Sequence, residues 1–329
     1  MAPFVQLHYL LIATDPVHIG TGGYRLGRVD NSIVREPGTR LPKIPGSSLH
    51  GAIRAYAARI YENPAAAGQD HSNADPDNCP VCYTFGYIKK PAPGQSPSEA
   101  GGFSGVVSIF DAQVLLFPVH SMAGPVWVTT VPLLKAAKCA IGGDVGEPPA
   151  GSAHMTLSRT SPLNLGWLMV DVATANLSIT APEGWSKAEW DAVAGRIVVV
   201  STSMFAQIVN SNLEVRTSVS IDPTTGAAAS GALFTFEALP RGTFLTMDVA
   251  VDDYRTPADR QAAFARAAQG QSKDPAKPLP GKAWQGPTDV MEAGLHALAW
   301  LGVGGMGTRG FGRLSQVGDG IKEAYGGVQ

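Results

Sequence analysis

The 329-residue chain carries 25 Lys and Arg against 27 Asp and Glu, a net charge of −2, and only 16% of its residues are charged. That balance excludes a uniformly basic nucleic-acid binder, so any polyanion would have to be held by a local patch. No apolar run reaches the ~18–20 residues of a membrane span, and three cysteines are too few for a disulfide framework.

With 44% apolar residues the chain can bury a sizeable core, while 38 Gly and 25 Pro point to many loops and turns. The N-terminal stretch "MAPFVQLHYLLIATD" lacks a basic n-region and a cleavage-site pattern, so a cytoplasmic location is expected. Val5, Leu7, Tyr9 and Leu11 alternate as a strand does. A long loop rich in Gly and Arg follows, from Pro16 to Gly46. From Tyr24 to Arg59 the basic residues are Arg25, Arg28, Arg35, Arg40, Lys43, Arg54 and Arg59, opposed only by Asp30 and Glu36. The near-neutral total therefore conceals a basic N-terminal segment with one carboxylate, Asp30, set among arginines.

In "IPGSSLHGAIRAYAARIYEN", Ser47 or Ser48 is the expected N-cap, because a hydroxyl there accepts from an orphan amide of the first turn. Leu49, Ile53, Tyr56 and Ile60 recur at helical spacing, leaving Arg54 and Arg59 on a basic edge. Residues 63–102 read as a polar, acidic insertion loop. "FSGVVSIFDAQVLLF" reads as two strands turning near Asp111, "VWVTTVPLLKAAK" as a weak helix, residues 168–180 as a strand and "RIVVVS" as a buried strand. "SKAEW" places Ser186 and Glu189 at capping-box spacing. "VRTSVSIDPTTGAAASGALFTFEAL" alternates, turns at Pro223–Gly226 and alternates again, a long hairpin expected to project from the body. Residues 255–287 show little periodicity, and Thr288 is the expected cap of a last helix, "DVMEAGLHALAWLG". This order suits an α+β sheet of the ferredoxin-like kind with helices on one face, and no composition break divides the chain into two domains.

Two patterns carry chemistry of their own. Gly302, Gly304 and Gly307 spell G-x-G-x-x-G, but a helix precedes them and the chain ends soon after, so the dinucleotide reading fails. A glycine-rich loop presenting amides to an anion, with Arg309 and Arg313 adding charge, fits better. Cys79 and Cys82 form C-x-x-C with His71 upstream. These three suit a structural zinc that staples the insertion, with Cys139, His120 or an Asp as fourth ligand. Packed free thiols fit the same residues, whereas a redox pair would need a thioredoxin-like unit that the sequence does not offer.

Taken in order, "HIGTGGYRLGRVDNSIVRE", "LPKIPGSSLHGAIRA", "CPVCYTFGY", "SIFDAQVLLFPVHSMAGPVWVTTVPLL", the long hairpin and "GGMGTRGFGRL" resemble the RAMP superfamily of CRISPR proteins. The likeness is to the repeated backbone subunit of type III effector complexes, and within these most to the type III-B (Cmr) form. The resemblance implies a single RAMP domain over residues 1–329, with a ferredoxin-like (RRM-like) palm, the insertion at 63–102 and a thumb hairpin at about 213–240. It implies a cytoplasmic ribonucleoprotein of antiviral defence, in which copies of the chain stack with other type III subunits along a guide CRISPR RNA. The thumb would kink the guide–target duplex at intervals. By the same resemblance, His18, Arg25, Arg28, Arg35, Ser47, Ser48, Arg54, Gly304, Gly305, Thr308 and Arg309 would bind RNA. Asp30 would cleave complementary target RNA with a divalent metal, Mg or Mn.

Elementary chemistry is compatible with those roles. Most contact to a polyanion reads no sequence, and sequence is read by base pairing. RNA supplies its own nucleophile, the 2′-OH, and a carboxylate with a pKa near ~4 is a poor base, which favours a metal-ligand or orienting role for Asp30. A non-catalytic scaffold, a type III-A (Csm) backbone subunit and a guide-processing enzyme are the rival readings.

Overall fold

The computed structural model describes residues 4–22, 29–89, 101–143, 145–185 and 187–325. At its centre four strands run antiparallel in an order that departs from chain order. Phe4–Ala13 lies between Phe244–Val251 and Leu314–Tyr325, and Ala112–Ser121 flanks Phe244–Val251 on its far side. The helix Gly46–Ile60 follows the first of these strands, and the helix Pro287–Leu301 joins the third to the last.

The alternation of the first strand decides which core each residue enters. Leu7, Tyr9 and Leu11 point into the core that also buries Leu49, Ile53 and Ala57 of the helix Gly46–Ile60. Each such fully buried side chain contributes roughly 1.5–3 kcal/mol. The two helices cross closely, because a Cβ on Gly294 would lie 2.2 Å from the Ile53 carbonyl oxygen and only glycine permits that approach. Leu10 points the other way, into a second core with Leu115, Leu116, Trp185, Trp190, Phe244 and Val317. The helices Val131–Ala136 and Ala188–Ala194 cover that side. Helices therefore lie on both faces, not on one as expected.

Beyond Ala112–Ser121 the sheet continues through Gly124–Thr129, Ile197–Val199, Ser152–Met155, Leu168–Thr174 and Leu163–Leu165. Ile197–Val199 runs parallel to Gly124–Thr129, and all three of its residues are buried. The segment "VWVTT" is thus a strand. The helix begins only after it, where the Thr130 hydroxyl caps the turn by accepting from Leu133 N. Residues 257–264, where the helical signal is weak, form a helix capped reciprocally by Thr256 and Asp259. Thr288 lies inside the last helix, and Asp289 takes the capping role by accepting from Gly286 N at 3.2 Å. Ser186 lies outside the described residues. No helix among the described residues is long and apolar enough to cross a membrane.

The insertion is not an independent, coreless loop. Ala66, Ala74, Cys79, Val81, Cys82, Tyr83, Phe85 and Tyr87 are buried in the main core, and Gly86–Lys89 pairs with Gly101–Ser104. The Arg255 guanidinium stacks over Phe103 at 4.0 Å and Tyr83 at 4.9 Å, tying the two segments to the body.

The hairpin forms as read. Glu214–Ile221 pairs with Ala228–Ala238 as a separate two-stranded sheet, and its turn is closed by Asp222 N donating to Ala227 O. Val219, Ile221 and Leu233 leave it exposed to solvent.

Candidate functional site

Three segments meet at the base of the hairpin: the loop that follows the first strand, the returning hairpin strand, and the glycine-rich loop after the last helix. The hairpin strand holds the first loop through alternating residues. Asn31 N donates to Thr235 O at 3.0 Å, and Glu237 N donates to Asn31 O at 3.0 Å. Between them Thr235 grips Asp30. Its amide donates to Oδ2 at 2.7 Å and its hydroxyl to the same oxygen at 2.9 Å, while that hydroxyl accepts from Asp30 N at 3.1 Å. Asp30 is otherwise exposed, and these hydrogen bonds to the charged form hold its carboxyl below the usual aspartate range. Among the described residues the depression comes first from the backbone and hydroxyl of Thr235.

Arg35 is used internally. Its guanidinium donates to Asn210 Oδ1 at 2.8 Å, to Ile33 O at 3.0 Å and to Glu237 Oε2 at 2.8 Å. A largely buried cation committed in this way fixes the loop, with three of its donors spent inside the protein. Arg54 is likewise withdrawn: it donates to Ala66 O at 2.7 Å and Gly86 O at 2.8 Å, and lies 2.6 Å from His71 Nε2. Burial lowers its pKa. Both corrections to the RNA-binding set have one cause: buried carbonyls and a buried carboxylate need partners, and these guanidiniums supply them. Arg25 and Arg28 lie outside the described residues, as does Tyr24.

His18 is buried, with Nδ1–H donating to Glu237 O at 2.6 Å and its ring edge-on to Phe236. Its carbonyl accepts from Gly305 N at 2.9 Å, which docks the glycine-rich loop onto the first loop. Phe311 from that loop packs on Phe236 and Ala238, and the Arg216 guanidinium covers it at 4.8 Å. Gly304, Gly305, Thr308 and Arg309 are exposed. Arg309 reaches Ser218 of the hairpin at 3.4 Å, whereas Arg313 is held by Asp15.

The helix start lies elsewhere. Pro45 occupies the N-cap position without a side-chain cap, so neither Ser47 nor Ser48 caps the helix. The Asp111 carboxylate does that work from the turn just before Ala112–Ser121: it accepts from Gly46 N at 2.7 Å and pairs with Lys43 at 2.6 Å. An internal anion therefore sits where a phosphate had been expected. Ser47 remains exposed on the wall of a cavity of about 520 Å³ shared with His8, Lys138 and Asp248.

The zinc reading does not fit. The neutral His71 ring has one acceptor nitrogen, and in either tautomer a donor of this chain lies on it, Ile88 N at 3.1 Å from Nδ1 or Arg54 at 2.6 Å from Nε2, so no lone pair is left for an ion. Cys79 and Cys82 are buried free thiols at the start of the helix Pro80–Phe85, and Asn63 Nδ2 donates to Cys79 Sγ at 3.3 Å. The hydrogen bond with Cys79, and then burial, push the Cys82 thiol up. Among the described residues no three His, Cys, Asp or Glu side chains gather to hold a metal.

Thr235, Glu237 and Phe311 were not read from the sequence. The one available signal was Glu237 itself, a carboxylate in a strand of aromatic and small residues, where a charge needs a buried partner.

The RAMP superfamily profile matches residues 11–315, nearly the whole chain. The chain belongs to the RAMP superfamily. Among curated relatives, this RAMP protein is 24% identical over 249 residues to the CRISPR system Cmr endoribonuclease Cmr4 of Pyrococcus furiosus, covering 71% of this chain and 77% of that one. A shorter likeness, 30% over 91 residues, joins it to the CRISPR system Cms endoribonuclease Csm3 of Methanothermobacter thermautotrophicus, covering 27% of this chain and 36% of that protein. In fold it is similar to a chain of the Type III-B Cmr-beta bound to cognate target RNA, with a TM-score of 0.60, 17% identity, and coverage of 95% and 97%. Oligomeric Cmr4 from P. furiosus follows with a TM-score of 0.52, 16% identity, and coverage of 96% and 98%.

Proposed function

We propose that this RAMP protein is the guide-RNA-binding, repeating subunit of a type III CRISPR effector complex, and that it cleaves complementary target RNA through Asp30. The observation that carries the reading is the clamp on Asp30: an exposed carboxylate, kept ionised and immobilised by Thr235 at the base of a long hairpin, beside an exposed glycine-rich loop. The 4-1-3-2 order of the four central strands supports a ferredoxin-like palm, and the apolar, exposed flank of the hairpin supports its use as a thumb that wedges a duplex. The likeness to Cmr4 spans most of the chain and that to Csm3 a minority of it, which favours type III-B over III-A.

RNA cleavage here needs a 2′-OH in line with the adjacent phosphorus, so positioning supplies much of the rate. Asp30 accepts the hydrogen bond of that hydroxyl and orients it. Its depressed pKa makes it a weak proton acceptor, so orientation matters more than basicity. A single exposed carboxylate also suits a magnesium or manganese ion whose remaining ligands are phosphate oxygens and water, and such an ion would polarise the phosphate. The amide of Gly304 and the side chains of Thr308 and Arg309 face the backbone of the guide, whereas the Gly305 amide is spent on the His18 carbonyl and only holds the loop in place.

The test uses the guide-loaded complex assembled with all partners, end-labelled complementary RNA and magnesium or manganese. Regularly spaced products that disappear in Asp30→Ala, with target binding retained, are expected. Unchanged products would leave this chain a non-catalytic scaffold.

A further inference from the structure

The turn between Leu163–Leu165 and Leu168–Thr174 presents Trp167 almost entirely to solvent, at 96% exposure, flanked by exposed Leu168, Met169 and Met122. This turn is held stiffly. Gly166 N donates to His120 O at 3.0 Å, Asn164 Oδ1 accepts from Met122 N at 2.6 Å, and Asn164 Nδ2 donates to Gly166 O at 3.1 Å. A preorganised, exposed tryptophan among aliphatic side chains has the character of an interface anchor, since little order remains to be lost on binding.

Elsewhere on the molecule an apolar groove of about 690 Å³ is lined by Leu41, Pro42, Val114, Pro132, Leu133 and Phe205. Lys43 at its rim is paired with Glu36 and Asp111, so the groove offers no spare cation to a phosphate. One helix, Thr202–Ser211, connects the two features. Its first turns line the groove through Thr202, Ser203 and Phe205, and its C-cap Asn212 packs against Gly166. Ten residues of helix separate the two ends by ~15 Å, so the turn cannot fill the groove of its own chain.

We infer that the Trp167 turn of one copy seats in the Leu41–Phe205 groove of the next. A knob and its hole at opposite ends of one helix make a head-to-tail contact, the kind that propagates into an open stack instead of closing a two-fold dimer. Trp167 would bury ~150–250 Å² of its own surface, against the ~800 Å² per partner of a standard interface. It is therefore the anchor at the centre of the contact, not the whole of it. The inference rests on the repeating-subunit reading above.

The test assembles the chain on guide RNA and follows copy-to-copy association by analytical ultracentrifugation. Trp167→Ala is expected to weaken association about 30-fold, the loss of an anchor worth about 2 kcal/mol at 1.4 kcal/mol per decade. Under mild oxidation, Trp167→Cys combined with Leu41→Cys should give a ribonuclease-resistant ladder of linked copies, and neither single variant should, because the native cysteines are buried. Wild-type association by the Trp167→Ala variant with no ladder overturns this contact alone. Ultraviolet irradiation of the wild-type assembly that cross-links Trp167 to the guide, in an adduct that ribonuclease trims, overturns it in favour of RNA. Wild-type chain that stays monomeric on guide RNA overturns the repeating-subunit reading as well.

Discussion

Adjacent glycines in the glycine-rich loop should respond very differently to one methyl group. Gly304 has φ +87°, and a Cβ there would lie 2.5 Å from the His18 carbonyl oxygen and 2.4 Å from Ile19 Cδ1. The left-handed backbone costs an L-residue ~1–2 kcal/mol. Overpacking against a carbonyl that cannot rotate away adds ~1–3 kcal/mol. Gly304→Ala should therefore cost about 2–5 kcal/mol. At ~2 °C per kcal/mol for a chain of this size, the melting temperature should fall by about 4–10 °C. Relief of the clash would draw the loop off His18 and break the bond from Gly305 N to its carbonyl, so guide-RNA affinity should fall with stability. Gly305→Ala places its Cβ 3.4 Å from the His18 ring, an ordinary contact, and Gly307→Ala meets nothing within 4 Å. Both should melt within a degree or two of wild type. Calorimetry on the three variants, paired with RNA-binding titrations, checks this. Equal melting of the Gly304 and Gly307 variants would refute the docking of this loop on the first loop.

Asp30→Asn keeps the shape of the Thr235 clamp and removes the charge, so cleavage by the assembled complex should vanish while target binding persists in gel-shift assays. Because the folded-state pKa of Asp30 is depressed, its contribution is present at neutral pH and is lost only as pH falls below the ordinary aspartate value of 3.8. Thr235→Val removes the hydroxyl bond, so the acid limb of the pH–rate profile should move up, and an unmoved limb would detach Thr235 from the site. Arg35→Ala strands the buried Glu237 carboxylate, whose pair shows 14% and 11% side-chain exposure. It should cost about 3 kcal/mol in denaturant unfolding while leaving the salt dependence of RNA binding unchanged. Metal analysis of purified chain should find no stoichiometric zinc, and chelation should not shift melting; one zinc per chain would reverse the assignment of His71, Cys79 and Cys82.

The sequence by itself determined the elements whose pattern is local. Period-two alternation marked Phe4–Ala13 and both arms of the hairpin, and the 3.6-residue recurrence marked Gly46–Ile60, because a strand or helix shows its buried face in its own spacing. It also marked Asp30 and the exposed glycines, through the order of motifs shared with the superfamily. Tertiary structure alone decided which cations remain available. Arg35 and Arg54 look like Arg309 in the sequence, yet Arg35 satisfies Glu237, and Arg54 the Ala66 carbonyl and His71, partners that lie 12 or more residues away in the chain. The same holds for the helix start, where Asp111 from a distant turn displaces the role read into Ser47 and Ser48. It holds too for the cysteines, whose neighbours turned out to be an amide and a guanidinium instead of further ligands. Charge and ligand chemistry depend on partners brought together by folding, and spacing along a chain does not encode those partners.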